Sequence, residues 1–126
     1  MIEEFKMINQ IKILQVEDEV IAALFMENEL HKIGYETITH ATTGEAAIIS
    51  AKQNPPDIVL MDIGLPGKID GIEAASAIKS GSDIPIIFIT GYEDKAIKEK
   101  AEKLKPLGYL IKPFDMNKLK TLLELL

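Results

Sequence analysis

The chain contains no cysteine, no tryptophan and no arginine. Without cysteine there can be no disulfide, no thiolate nucleophile and no cysteine-based zinc site. Without arginine there is no planar bidentate clamp for phosphate or guanine, and all 14 basic residues are lysine. The charge has the wrong sign for a polyanion as well: 20 acidic residues bring the net charge to -6, which argues against nucleic-acid binding by this domain. Histidine is scarce, and His31 and His40 stand far apart, as surface or helix-end residues rather than ligands. No apolar run approaches membrane-spanning length, and the start, Ile2-Glu3-Glu4-Phe5-Lys6, lacks the charged-then-apolar order of a signal peptide. The expectation is a cytoplasmic protein that does not engage a membrane.

What is present is ordinary for a globular chain: 126 residues, 47% apolar and 27% charged. A chain of that size forms one domain and buries roughly two-thirds of its unfolded surface. Residues 1–10 have no clear period and read as an N-terminal extension, leaving 11–126 as the domain proper. Ile11 to Val16 reads as a first strand running into Glu17-Asp18-Glu19. Ile21, Leu24, Phe25, Asn28, Leu30 and Ile33 then follow helical spacing up to Gly34, as one amphipathic helix. Thr37 to Ala41 is a short polar strand suited to an edge. A helix opens at Thr43-Gly44-Glu45-Ala46 and runs to about Gln53, where Asn54-Pro55-Pro56 ends it.

The central strand is Asp57 to Met61, whose apolar run is too short for a helix and long enough for a buried strand. After a turn at Gly64 and Pro66, Asp70 can cap a helix through Ile72, Ala75 and Ile78 to Lys79. Ile84 to Ile89 is the most apolar strand and ends on Thr90-Gly91. Glu93 to Lys105 forms a lysine-rich helix closed by Pro106, and Leu107 to Ile111 is a fifth strand leading to Lys112-Pro113-Phe114. Asp115 caps a last helix in which Leu119, Leu122, Leu123 and Leu126 recur at helical spacing. Strand and helix alternate throughout with short links, which requires parallel strands and right-handed crossovers. The fold class that fits is α/β: a flavodoxin-like, doubly wound, five-stranded parallel sheet of order 2-1-3-4-5 with helices on both faces.

In such a sheet, ligands bind at the carboxyl ends of the strands. Those ends deliver Glu17 and Asp18, then Asp62, then Thr90, then Lys112. Carboxylates held together repel, by roughly 4 kcal/mol for a pair at about 4 Å and an effective dielectric of about 20. Either a raised pKa on one of them or a bound divalent cation removes that cost, and an oxygen-only site with few protein ligands suits Mg2+ beside a phosphate. Asp62 is the best nucleophile, because a carboxylate can take a phosphoryl group as an acyl phosphate. Such a transfer needs charge stabilisation on the moving oxygens, for which Lys112, Thr90 and nearby backbone N–H groups are available.

Four segments resemble one known family, the receiver domains of two-component response regulators. Ile13-Leu14-Gln15-Val16-Glu17-Asp18-Glu19 is similar to that family's acidic-pair motif, and Val59-Leu60-Met61-Asp62 followed by Pro66 to its phosphoacceptor motif. Ile89-Thr90-Gly91 resembles the switch threonine, and Gly108-Tyr109-Leu110-Ile111-Lys112-Pro113-Phe114 the closing lysine motif with its switch aromatic. The resemblance spans about residues 11–126. It implies that Asp62 accepts phosphate from a sensor histidine kinase or phosphotransfer protein. Asp18, Asp62 and the Gly64 carbonyl would hold Mg2+, with Glu17 acting through water.

Such a phosphoacceptor promotes its own phosphorylation and dephosphorylation rather than turning over an external substrate. Thr90 and Tyr109 are the implied switch, and the fifth strand with the last two helices, including Lys95, Lys98 and Lys118, is the implied face for partners or a homodimer. With no output module after Leu126, the readout falls to a partner, a second copy or a region beyond this sequence. Two departures stand out. Glu17 occupies a position where aspartate is common, and the loop Leu65-Pro66-Gly67-Lys68-Ile69-Asp70-Gly71 is one residue longer than usual. The longer loop resembles a subgroup found beside sensor and kinase modules, which hints at a non-transcriptional output.

Other functions are weighed against this one. A receiver-like scaffold that is never phosphorylated would not need the complete set of Asp62, Thr90 and Lys112. An aspartate-nucleophile phosphatase needs a second acid two residues after the nucleophile, where this chain has Gly64. Flavin binding is disfavoured because the first strand leads into acids that would repel the flavin phosphate.

Overall fold

The computed structural model describes residues 6–91 and 93–126. Five strands, β1 (Lys12–Val16), β2 (Thr37–Ala41), β3 (Ile58–Met61), β4 (Ile86–Thr90) and β5 (Gly108–Ile111), form one parallel sheet of order β2-β1-β3-β4-β5. Between and after them come the helices α1 (Val20–Lys32), α2 (Gly44–Gln53), α3 (Gly71–Ser80), α4 (Lys95–Glu102) and α5 (Met116–Leu123). This is the expected doubly wound topology, with the polar strand β2 at an edge. The expected extension contributes a single short turn of helix at Ile8–Gln10, and its first five residues lie outside the described ones.

Strand alternation sorts the core into two layers. Leu14, Val16, Val59, Met61, Ile86 and Phe88 face one way, against alanines of α2 and α3 and Ala101 of α4. Small residues there let the helices lie close to the sheet. Ile13, Ile58, Leu60, Ile87, Ile89 and Leu110 face the other way, against Leu30 of α1 and Leu119 and Leu123 of α5.

Helix starts follow local chemistry. Thr43, Asp70, Asp94 and Asp115 each accept a backbone N–H of the first turn of the helix they precede. Asp70 and Glu73 complete a reciprocal capping box. α4 is shorter than the expected 93–105: Asp94 caps it, so it begins at Lys95, and it ends at Glu102.

α1 departs further from expectation. The helix forms, but Ile21, Leu24 and Phe25 are 83%, 60% and 64% exposed, and only Leu30 is fully buried. Its apolar residues cover a wider arc than the sheet can, and the sheet takes the side carrying Met26, Leu30 and Ile33. Leu126 of the terminal leucine series is likewise exposed.

Candidate functional site

Three chemically important residues occupy the same backbone position, one residue beyond a strand. The Glu17 N–H donates to Ala41 O of β2 at 3.0 Å, the Asp62 N–H to Val16 O of β1 at 3.1 Å, and the Lys112 N–H to Thr90 O of β4 at 2.8 Å. Each is thus held by a last ladder bond while its side chain is free of the sheet. The strands differ in length and lie far apart in sequence, yet these bonds bring their ends to one crevice. The Lys112–Pro113 peptide bond is cis.

Lys112 Nζ donates to Glu17 Oε1 at 2.6 Å and reaches Asp62 Oδ2 at 3.4 Å. Glu17 is 7% exposed and also accepts the Glu19 N–H at 3.2 Å. Asp62 Oδ1 accepts the Gly64 N–H at 3.3 Å. The unequal sharing of one ammonium separates the two carboxyls electrically. Burial raises the pKa of Glu17, but the hydrogen bonds from Lys112 and Glu19 and the ammonium charge outweigh it, leaving it below the ordinary value. Burial pushes Asp62 above the ordinary value, and the negative charge of Glu17 adds to the effect against the attraction of Lys112. Burial opposes the charge on Lys112, but the hydrogen bond to Glu17 and the field of Asp62 more than compensate, so its pKa is raised.

Glu17, Asp18 and Asp62 each present a carboxylate oxygen within 4.8 Å of the others. Two oxygens bound to one Mg2+ at about 2.0–2.1 Å lie roughly 3–4 Å apart, so this set needs little contraction to hold a cation, and its all-oxygen chemistry fits. Asp18 is the exposed member and Asp62 the half-buried one. Thr90 is fully buried at the end of β4, in register with Ile111 of β5.

Tyr109 belongs to β5, with its ring centroid 6.3 Å from that of Phe88 and Lys98 Nζ 5.8 Å from its own. Its hydroxyl is buried without a hydrogen-bond partner among the described residues. Burial, with Asp94 and Glu102 nearby, holds the phenol above its usual pKa.

Two contributors escaped the sequence reading. Gly71, at the start of α3, lies so close to β3 that a Cβ there would collide with the Asp62 carbonyl oxygen. Its N–H donates to Ile63 O at 2.8 Å. Glu45 of α2 accepts the N–H groups of Lys68 and Ile69 at 3.1 and 3.2 Å and so holds the long loop after Asp62. The only local signals were the Asp70-Gly71 pair and an acid in the first turn of α2.

Comparison with known proteins agrees with this geometry. Residues 13–124 match the family model described as the response regulator receiver domain. The chain is 34% identical over 114 residues to the transcriptional regulatory protein PdtaR of Mycobacterium tuberculosis, covering 90% of this chain and 55% of that protein. Over 118 residues it is 30% identical to a probable chemotaxis protein CheY of Rhizobium etli, covering 91% of each. Among solved structures, the N-terminal domain of a response regulator/sensory box/GGDEF 3-domain protein from Carboxydothermus hydrogenoformans superposes with a TM-score of 0.81 at 38% identity, over 90% of this chain and 91% of that one. The chain spans about half the length of PdtaR.

Proposed function

The chain belongs to the response regulator receiver domain family, and from that membership we propose that it relays a signal by accepting a phosphoryl group on Asp62. The observation that carries this reading is the convergence of Asp62, the Glu17–Asp18 pair and Lys112 at one end of the sheet. A sensor histidine kinase or phosphotransfer protein is the donor. A P–O bond forms at an Asp62 carboxylate oxygen as the P–N bond to the donor imidazole breaks, and the imidazole leaves.

Asp18, Asp62 and the Gly64 carbonyl are the proposed ligands for Mg2+, with Glu17 acting through water; when bound, the ion neutralises charge on the phosphoryl oxygens. Lys112 stabilises a further oxygen, for which its ammonium must turn from Glu17 toward the incoming group. The Gly64 N–H, already on Asp62 Oδ1, is placed for a share of the same charge. Thr90, buried at the strand end, provides the hydroxyl that senses the new group. Tyr109, one strand over, responds to its movement, and α4, β5 and α5 form the face whose partners or second copy read the change.

The exposed apolar residues Val20, Ile21, Leu24 and Phe25 begin two residues after Asp18. A contiguous apolar patch beside a reactive carboxylate is suited to docking a partner, and we assign it to the phosphoryl donor. The absence of arginine and the negative charge support a protein output over a nucleic-acid one for this domain. Among the described residues no helix is long and apolar enough to cross a membrane, in keeping with a cytoplasmic relay.

The test is intact mass after incubation with Mg2+ and a small acyl-phosphate donor, with Asp62→Asn alongside. One added phosphoryl group in the parent, missing from the variant and without Mg2+, is the expected result. No addition to the folded parent, with a stable phosphoryl mimic also failing to bind, would overturn the reading in favour of a scaffold.

A further inference from the structure

Gln15 stands where strand alternation calls for an apolar side chain. β1 turns Ile13 and Gln15 toward the layer covered by α1 and α5, and Gln15 is in register with Leu60 of β3. It is only 4% exposed, and its Oε1 is buried with no hydrogen-bond partner among the described residues. An amide carbonyl left so costs roughly 1–3 kcal/mol, a penalty that leucine at the same place would avoid.

Gln15 lines a cavity of about 250 Å³. Leu60 and Ile89 form its floor on the sheet, Phe25 and Met26 of α1 one wall, and Phe114 and Met116 at the start of α5 the other. Phe25 is among the exposed residues of α1, so it forms an outer lip that solvent reaches. Glu17, Asp62 and Lys112 border the same space at the crevice end.

We propose that this cavity binds a small, uncharged, largely apolar molecule carrying one N–H or O–H group, toward which the Gln15 amide turns its now buried Oε1 to accept that donor. Size sets the first limit: a dry cavity of roughly 150 Å³ already takes a benzene ring, so the space here accommodates a fused bicycle. Charge sets the second. The border carries two carboxylates against one ammonium, so the rim is net negative and disfavours an anionic guest that brings no cation with it. A cation among the apolar walls would lose its hydration without a partner. The orphan acceptor sets the third, selecting a donor over a purely hydrocarbon guest. The site goes beyond phosphoryl acceptance: it makes the domain a receptor for an apolar metabolite whose binding space touches Asp62 and Lys112.

Indole is a suitable probe, since the protein has no tryptophan and any indole emission comes from the added ligand. Titrating the isotopically labelled full chain with indole and with 1-methylindole, which keeps the shape and lacks the donor, tests the site. The expected result is saturable shifts at the Gln15 side-chain amide and the Met26 and Met116 methyl groups, with a blue-shifted emission. Indole should bind at least about fivefold tighter than its methylated analogue, in line with one hydrogen bond to a buried acceptor. In Gln15→Leu that preference falls to about one while the apolar binding persists. Ala22 of α1 also lines the cavity, and Ala22→Met, which fills it and leaves Gln15 in place, abolishes saturation with the fold intact. Shifts that never saturate, or that survive unchanged in Ala22→Met, would overturn the site. Equal affinity for the two probes in the parent protein would overturn the role of Gln15.

Discussion

Lys112 Nζ lies 2.6 Å from Glu17 Oε1 but 3.4 Å from Asp62 Oδ2. The ammonium of the loop after β5 is thus bound first to Glu17 and only second to Asp62. A glutamate at position 17 makes this possible, because its longer side chain reaches across the crevice while its backbone stays on β1. Glu17 cannot serve Lys112 and a cation equally well, so the two compete for it.

Lys112→Met therefore separates metal binding from chemistry. Removing the cation leaves three carboxylates without an internal counter-charge, so Mg2+ binds more tightly. Phosphorylation of Asp62 by a small donor falls by roughly a hundredfold, the usual effect of losing one preorganised charge-stabilising donor. Glu17→Gln does the reverse for the metal, weakening Mg2+ by about tenfold, or about 1.4 kcal/mol. Calorimetric titration with Mg2+ and mass-detected phosphorylation rates check both.

Asp62→Asn is expected to stabilise the metal-free fold at neutral pH. Burial raises the native pKa of Asp62 above its unfolded value, so the native state holds this proton more tightly. Parental stability then declines as pH rises from the unfolded pKa to the native one and is constant beyond. The asparagine variant carries no such penalty. Its advantage, measured by urea unfolding, is full at pH values above the native pKa and fades once pH drops below about 4, the ordinary carboxylate range. Added Mg2+ stabilises the parent and not the variant.

Gly71→Ala tests how closely α3 supports the backbone at Asp62. The new Cβ would meet the Asp62 carbonyl and Ile63 Cα, both backbone, so the helix must shift. A loss of roughly 3 kcal/mol is expected, the upper end for overpacking, with slower phosphorylation of the molecules that remain folded. Gly81→Ala is the control: nothing lies within 4 Å of an added Cβ there, and stability changes by less than about 1 kcal/mol. Urea melts of the two variants give the comparison directly.

Glu45→Ala releases the loop after Asp62. The carboxylate is the acceptor for two backbone N–H groups and sits beside Gly67, whose φ is +100°. Hydrogen exchange at Lys68 and Ile69 should accelerate by about tenfold, as expected when a hydrogen bond of roughly 1.5 kcal/mol to a charged acceptor is lost. Exchange in β3 and β4 stays unchanged, which distinguishes a loop latch from general destabilisation.

The alternation of five strand patterns with five helical ones, and the caps Asp70 and Asp115, were legible residue by residue because strand period, helix period and capping are local properties. Topology followed from them, since parallel strands with short links leave few permitted arrangements. The identity of the residues at the strand ends was legible for the same reason: Asp62, Thr90 and Lys112 each follow a recognisable apolar run.

What the local pattern could not contain was which neighbour each group meets. Periodicity marked Ile21, Leu24, Phe25, Leu30 and Ile33 as one apolar face, but the finite width of the sheet covered Leu30 and Ile33 together with Met26 and left Ile21, Leu24 and Phe25 exposed. Spacing brought Lys112 to the crevice, but only the packed geometry of the strand ends gave it to Glu17 before Asp62. The contact of Gly71 with Asp62 and the unpartnered oxygen of Gln15 arise in the same way. Such contacts depend on sub-ångström fit between elements remote in sequence, and close packing, rather than local propensity, fixes that fit.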